Sequence, residues 1–298
     1  VTDTARDRHE GANAADAVDP VLARKMWRTL EPFHGMIYFT PRAAAETRQL
    51  GLDDRSSYFA LRSAALGDVP AEVVIATFFN FHPALVRRSI DHTREVTTPG
   101  ELVAARFRAA DIALHDLLGD DALTSPEMAE AAELAHAAAL ACPLEGRPLF
   151  AAHASLVWPT ATHVVLWHAV SLLREYRGDG HIAALIDEGV DACESLVTHG
   201  AATDNPVTLR TLQVSRAWPD DEWEAACRRL TERGWLDGDA LTEAGAAVRQ
   251  RIEDHTDERA MAPWLAIGTD AADRLRRLVR PWSKAISEGG VFGGARTN

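Results

Sequence analysis

The stretch Pro219-Asp-Asp-Glu-Trp-Glu-Ala-Ala-Cys-Arg-Arg-Leu-Thr-Glu-Arg-Gly234-Trp-Leu-Asp-Gly-Asp-Ala-Leu-Thr-Glu-Ala-Gly245 decides the fold. Pro219 suits a first helical turn, and the acidic residues behind it face the positive end of the helix macrodipole. Gly234 is a stop signal. The segment Trp235 to Leu241 alternates around Gly238 and predicts a very short strand pair. Leu241-Thr242 then opens another helix, with Thr242 as its cap.

The same helix-start signals recur at Asp19-Pro20, Thr40-Pro41, Thr98-Pro99 and Ser125-Pro126, and Thr98-Pro-Gly-Glu101 fits a capping box. They predict helices near 20–38, 41–50, 56–65, 70–80, 83–91, 99–118, 126–141, 148–156, 162–176, 180–199, 208–214, 219–233, 242–260 and 269–288. The expected fold is all-α, with degenerate winged-helix module(s) and at most a short two-stranded wing. Residues 1–19 are polar and charged and are expected to form a disordered leader. The turn-rich joint Gly119 to Pro126 suggests an N-terminal helical domain, 20–120, and a C-terminal one, 121–298, holding the module at about 207–260.

Composition excludes several classes. The chain has 298 residues, 47% of them hydrophobic and 25% charged, as in ordinary globular proteins. It contains no run of roughly 18 apolar residues and no secretory leader pattern, so a soluble, cytoplasmic protein without membrane contact is expected. Cys142, Cys193 and Cys227 are far apart and odd in number, against both a disulfide framework and a zinc cluster. Of 31 basic residues only Lys25 and Lys284 are lysine, a bias of GC-rich coding.

From Thr208 to Arg259 the order helix, turn, helix, Gly234-Trp-Leu stop, short wing and Leu241-Thr-Glu-Ala-Gly245 helix start resembles the MarR-type winged helix-turn-helix. More broadly, Leu30-Glu-Pro-Phe-His34, Tyr58-Phe59, Phe78-Phe-Asn-Phe-His-Pro83, Trp167-His168 and Arg174-Glu-Tyr-Arg-Gly-Asp-Gly-His181 resemble a family of actinobacterial proteins known only as helix-turn-helix. The resemblance implies a fold and no reaction. It leaves a ligand-responsive, MarR-like transcriptional regulator, as a homodimer, as one reading.

DNA readers need a basic face for phosphate. Between Val207 and Ala247, Arg210, Arg216, Arg228, Arg229 and Arg233 stand against Asp220, Asp221, Glu222, Glu224, Glu232, Asp237, Asp239 and Glu243. The helix start that should approach base edges is acidic, the wing has no arginine, and the net charge is −13. DNA is therefore an unfavourable partner. The favoured reading is a pseudo-regulator that binds a hydrophobic or aromatic small molecule. It extends to a cofactor-independent enzyme of specialised metabolism, with cyclase, isomerase or lyase-type acid–base chemistry on histidine.

The segment Thr162 to Tyr176 is almost wholly apolar and predicts a buried helix. His168, Ser171 and Glu175 share one stripe of it, and His163, Trp167 and Arg174 a neighbouring one. Buried ionisable groups need partners or a purpose. The helix is expected to stop at Gly178, with Asp179 capping the next one and orienting His181, an arrangement that reads either as a plain cap or as an acid–base pair. The catalytic candidates are thus His168, Glu175, Asp179 and His181. His34, Tyr38, Tyr58, Phe78, Asn80, His82, His153, His163, Trp167 and Arg174 are ligand-binding candidates, their rings serving equally as core or as a pocket wall. No His-x-x-x-His or Cys-x-x-Cys spacing occurs, so neither a metal nor another cofactor is expected. P-loop, Gly-x-Gly-x-x-Gly and Gly-x-Ser-x-Gly patterns are also missing.

Overall fold

The computed structural model describes residues 18–203 and 206–292. The expected leader, 1–19, lies almost entirely outside the described residues. The fold is all-α with one two-stranded wing, as the sequence indicates.

Its order of elements occurs twice, apart from the helix Pro41–Gln49, which only the first set holds, and the wing, which only the second holds. The first set is α1 (Val21–Gly35), α2 (Pro41–Gln49), α3 (Asp54–Ser63), α4 (Ala71–Phe78), α5 (Pro83–Val96), α6 (Pro99–Leu118), α7 (Asp120–Leu123) and α8 (Pro126–Leu140). After the linking α9 (Pro148–Ala154) the second set is α10 (Thr162–Asp187), α11 (Ala192–Ala201), α12 (Pro206–Ser215), α13 (Asp220–Glu232), the wing, α14 (Glu243–Arg259), α15 (Ala262–Ile267) and α16 (Thr269–Glu288). Caps repeat with it: Asp53 and Asp191 start α3 and α11, and Thr98 and Thr242 start α6 and α14. The expected capping box of Thr98 with Glu101 is present.

The halves clasp each other. Helix α1, which opens the first set, packs on α16 at the end of the second, while α10 packs on α8 at the end of the first. The alanine face Ala131, Ala132, Ala135, Ala138 and Ala139 is fully covered, and small side chains let α8 lie close to α10. The main core, including Met26, Phe33, Leu114, Met128, Leu166, Trp167 and Leu275, therefore draws on both sides of residue 120. Each helix-turn-helix keeps a small core of its own, Phe59, Phe78, Phe81 and Val86 in the first, Val197, Ala226, Leu230 and Leu236 in the second. The two turns meet: His82 N–H donates to the Arg216 carbonyl at 3.0 Å and Trp218 Nε1 donates to the Asn80 carbonyl at 2.9 Å. Phe79 (φ 49°) and Ala217 (φ 59°), the non-glycine residues of positive φ among the described ones, sit one in each turn.

The expected stop at Gly178 is corrected: α10 runs unbroken from Thr162 through Arg177-Gly-Asp-Gly-His181 to Asp187. Glycine is used there for space. A Cβ at Gly180 would fall on the Arg147 guanidinium, and one at Gly178 would crowd Arg174 and Glu175. The chain turns only at Gly189 (φ 66°), before the Asp191–Glu194 capping box.

The wing pairs Leu236 with Leu241 and Asp237 with Ala240. Behind it, a Cβ on Gly245 would lie 2.9 Å from the Trp235 carbonyl carbon and 3.1 Å from its Cα. Main chain cannot rotate aside, so Gly245→Ala is expected to lower stability by about 2–4 kcal/mol, measured by urea unfolding. A loss below about 0.5 kcal/mol would mean that the wing shifts freely.

Candidate functional site

A cleft of about 660 Å³ opens between α1, α3 and α5 of the first half and α10 and the α12–α13 turn of the second. Tyr38, Tyr58, Phe59 and Phe81 supply rings, Tyr58 lying 5.0 Å from Tyr38 and 5.5 Å from Phe81 between centroids. Phe39 adds a fifth ring, and the charged lining is mostly cationic: Arg55, Arg62, Arg88, Arg174 and Arg216 against one carboxylate, Glu31.

Beneath it lies a buried ion-pair network. Arg62 grips Glu175 with two bonds, Nε to Oε1 at 2.9 Å and Nη2 to Oε2 at 2.8 Å, and donates Nη1 to the Tyr58 hydroxyl at 3.1 Å. Arg174 donates Nη1 to the same Oε2 at 2.7 Å. Burial pulls the Glu175 carboxyl upward, but Arg174 and Arg62 together hold it well below the usual carboxylate range. Two guanidiniums share this carboxylate. Arg106 is also buried, donates Nη1 to the Tyr38 hydroxyl at 2.7 Å and to the Leu61 carbonyl at 3.2 Å, and has no ion-pair carboxylate among the described residues. Arg216, on the cleft wall, has none either: its Nε is buried without a partner and its guanidinium sits 5.1 Å from the Phe81 ring. Uncompensated buried cations are costly, so a cleft with this surplus favours an anion.

His34 lines the cleft. Its Nδ1 lies 2.9 Å from Ser171 Oγ, and that hydroxyl already gives its only hydrogen to the Trp167 carbonyl at 2.9 Å. Nδ1 must therefore be the donor, leaving Nε2 as a lone-pair acceptor with no partner among the described residues. Burial, and after it Arg174, pushes the His34 pKa well below 6.5, so the ring is neutral at pH 7.

The expected residues divide accordingly. His34, Tyr38, Tyr58 and Arg174 come together on the cleft, with Glu175 directly beneath. Trp167 is buried behind them and donates Nε1 to the His34 carbonyl at 3.3 Å, and Phe78 packs 4.6 Å from the Arg62 guanidinium. His168 is elsewhere: it lies among Phe107 and Trp158, its buried Nε2 has no partner, and burial pushes its pKa down to about 3. His153 gives an N–H to the Arg62 carbonyl at 3.1 Å, a structural tie. His82 caps α5 through Nδ1 and reaches Glu222 through Nε2 at 3.1 Å. Asn80 and His181 line a second, smaller cleft. The expected pairing of Asp179 with His181 is corrected. Asp179 accepts from the amides of Leu149 (3.1 Å) and Phe150 (2.9 Å), capping α9, while His181 Nδ1 lies 2.9 Å from Thr256 Oγ1. Burial raises the Asp179 carboxyl to about 6.

His163 Nε2 lies 2.5 Å from Asp111 Oδ1, and His115 Nε2 lies 3.7 Å from the same oxygen, so these three could hold a metal ion outside the cleft. The expectation of no metal rested on spacing along single helices. Spacing cannot see a ligand that α10 brings to a pair on α6.

Arg55, Arg62, Arg88, Arg106 and Arg216 were missed. Only Arg106 had a local signal, an arginine amid Leu102-Val-Ala-Ala-Arg106-Phe on a helix face that should be buried.

The would-be reading head is occupied. Arg210 pairs with Asp220, Arg228 with Glu224, Arg229 with Asp191 and Glu194, and Arg233 with Glu194, while Arg216 turns into the cleft. No described helix is long and apolar enough to cross a membrane. No curated protein and no solved structure is matched by the chain. A model of the Helix-turn-helix family matches residues 23–293. The chain, with its two helix-turn-helix units clasped together, belongs to that helix-turn-helix family.

Proposed function

We propose that this protein binds a small molecule, an aromatic or otherwise hydrophobic acid, in the cleft between its two helix-turn-helix units, and that it does not read DNA. The observation that carries this is the Arg216 guanidinium, which has no ion-pair carboxylate among the described residues, in a cleft of five aromatic rings, backed by Arg106, which has none either, in a chain of net charge −13. The rings take the apolar body of the ligand, Arg216 its anionic end, and His34 Nε2 accepts a hydrogen bond from a hydroxyl or N–H. Acid–base chemistry without a cofactor is an extension of this reading. A neutral His34 of depressed pKa serves it better as an orienting acceptor than as a proton donor.

The test is a thermal-shift and calorimetric comparison of aryl carboxylates with their isosteric amides. The acids are expected to bind at least about tenfold tighter, and Arg216→Met to remove the difference. Equal affinity for acids and amides would overturn the reading.

A second reading, a ligand-responsive regulator, is favoured by membership of the helix-turn-helix family. DNA contact would require the turn near Trp218 to leave Asn80 and His82. In a mobility shift with its own promoter at low salt, no specific complex is expected. A salt-sensitive, sequence-selective shift at nanomolar protein would favour the regulator instead.

A further inference from the structure

We propose that the chain carries a second small-molecule site, the cleft of about 380 Å³ around His181, for a small carboxylate that also bears a hydroxyl or N–H donor. The site rests on the internal repeat. Only its ligand class rests on the reading of the first cleft.

The repeat builds this cleft from matching positions. In the first cleft α1 contributes Glu31 and His34, the single 3-10 turn that continues it contributes Tyr38, and α3 contributes Tyr58, Phe59 and Arg62. In the second, α10 contributes Gly178, His181 and Leu185 and α11 contributes Ser195, Leu196 and His199, with the same spacings along the chain. Each cleft borrows from the turn of the opposite unit, Ser215, Arg216 and Ala217 in one and Asn80 in the other.

The histidines are set alike. His181 Nδ1 faces Thr256 Oγ1 at 2.9 Å, and that hydroxyl gives its hydrogen to the Ile252 carbonyl at 2.6 Å, as Ser171 does to Trp167. Nδ1–H is again the donor, and Nε2 is left as an acceptor without a partner among the described residues. Burial, then Arg249, pushes the His181 pKa down to about 3, which keeps the ring neutral. A tie between α10 and α14 needs Nδ1 alone. The free Nε2 on a cleft wall is what a ligand donor would use.

Charge agrees. Arg174 is matched by Glu175, Arg177 by Asp257 and Glu253, and Arg249 by Glu253, which leaves Arg216 as the lining arginine without a carboxylate among the described residues. Arg174 and Arg216 line both clefts, so they form the wall between them. A ligand that engages Arg216 from one side withdraws it from the other, and the two occupancies are coupled.

Fluorine NMR of the full chain with 3-fluoro-4-hydroxyphenylacetate tests this. Two bound resonances are expected. His34→Ala should remove one, and His181→Ala the other. His199→Trp, at the exposed mouth of the second cleft, should also remove that second resonance without disturbing the Thr256 tie. Arg216→Met should weaken both by about tenfold. A single resonance, lost in His34→Ala and retained in both His181→Ala and His199→Trp, would overturn the second site and leave the first standing. A single resonance with the opposite pattern would support the second site and overturn the first. No bound resonance at millimolar probe would overturn the ligand class assigned to both.

Discussion

Glu175→Ala is expected to lower stability by about 3–5 kcal/mol, or roughly 10 °C in Tm, the largest effect of any single substitution at the cleft. The carboxylate is 1% exposed and accepts three bonds from Arg62 and Arg174. Removing it leaves two guanidiniums together in a region that also holds Arg106 and Arg216. Replacing Arg62 and Glu175 together by leucine should recover part of the loss, since the second change removes a cation that the first left stranded. Chemical denaturation of the three variants checks this. A cost below about 1 kcal/mol for Glu175→Ala would show that water reaches the network and that its charges are screened.

Acid should destabilise this protein through its buried histidines. Burial holds His34 well below 6.5, and His153, His168 and His181 at about 3. All four stay neutral in the fold, whereas the unfolded chain protonates them below about pH 6.5. Stability supplied by the neutral rings is full above that pH and is lost as pH falls toward about 3, at up to about 1.4 kcal/mol per pH unit for each ring. Asp179 and Asp257 act oppositely, because burial raises their carboxyls and the fold holds protons that the unfolded chain has released. Four groups outweigh two. Denaturant unfolding at pH 7, 6 and 5 should show stability falling by several kcal/mol across this range, and His153→Gln should flatten the slope. A profile level between pH 7 and pH 5 would mean that the rings are not sealed from water.

Local chemistry explains what was legible early. Proline at N1, Ser and Thr caps and the Thr98–Glu101 box lie within one helical turn, so neighbouring residues suffice to place those helix starts. The wing followed from Gly238 and its flanks, and the acidic face of α13 from a plain count of charge. His34, Tyr38, Tyr58 and Arg174 were marked as candidates and do meet on one cleft. The run through Gly178 and Gly180 misled because a glycine pair ordinarily ends a helix. Here guanidiniums from the same helix and from Arg147 fill the space of the missing side chains.

The sequence by itself determined the helical class, most helix starts, the wing and the acidic charge of the C-terminal module, since propensity, capping and net charge are local or additive. Only the tertiary structure decided that the order of helices is used twice, that the two turns dock on each other, and which ionisable groups share a cavity. Matching positions such as His34 and His181, or Arg62 and His199, share spacing but seldom identity, so residue patterns do not announce the repeat. The balance at the cleft is likewise settled across the fold. Glu175 neutralises an arginine 113 positions away, while Arg216 finds no carboxylate among the described residues, because pairing depends on distance in space and not along the chain.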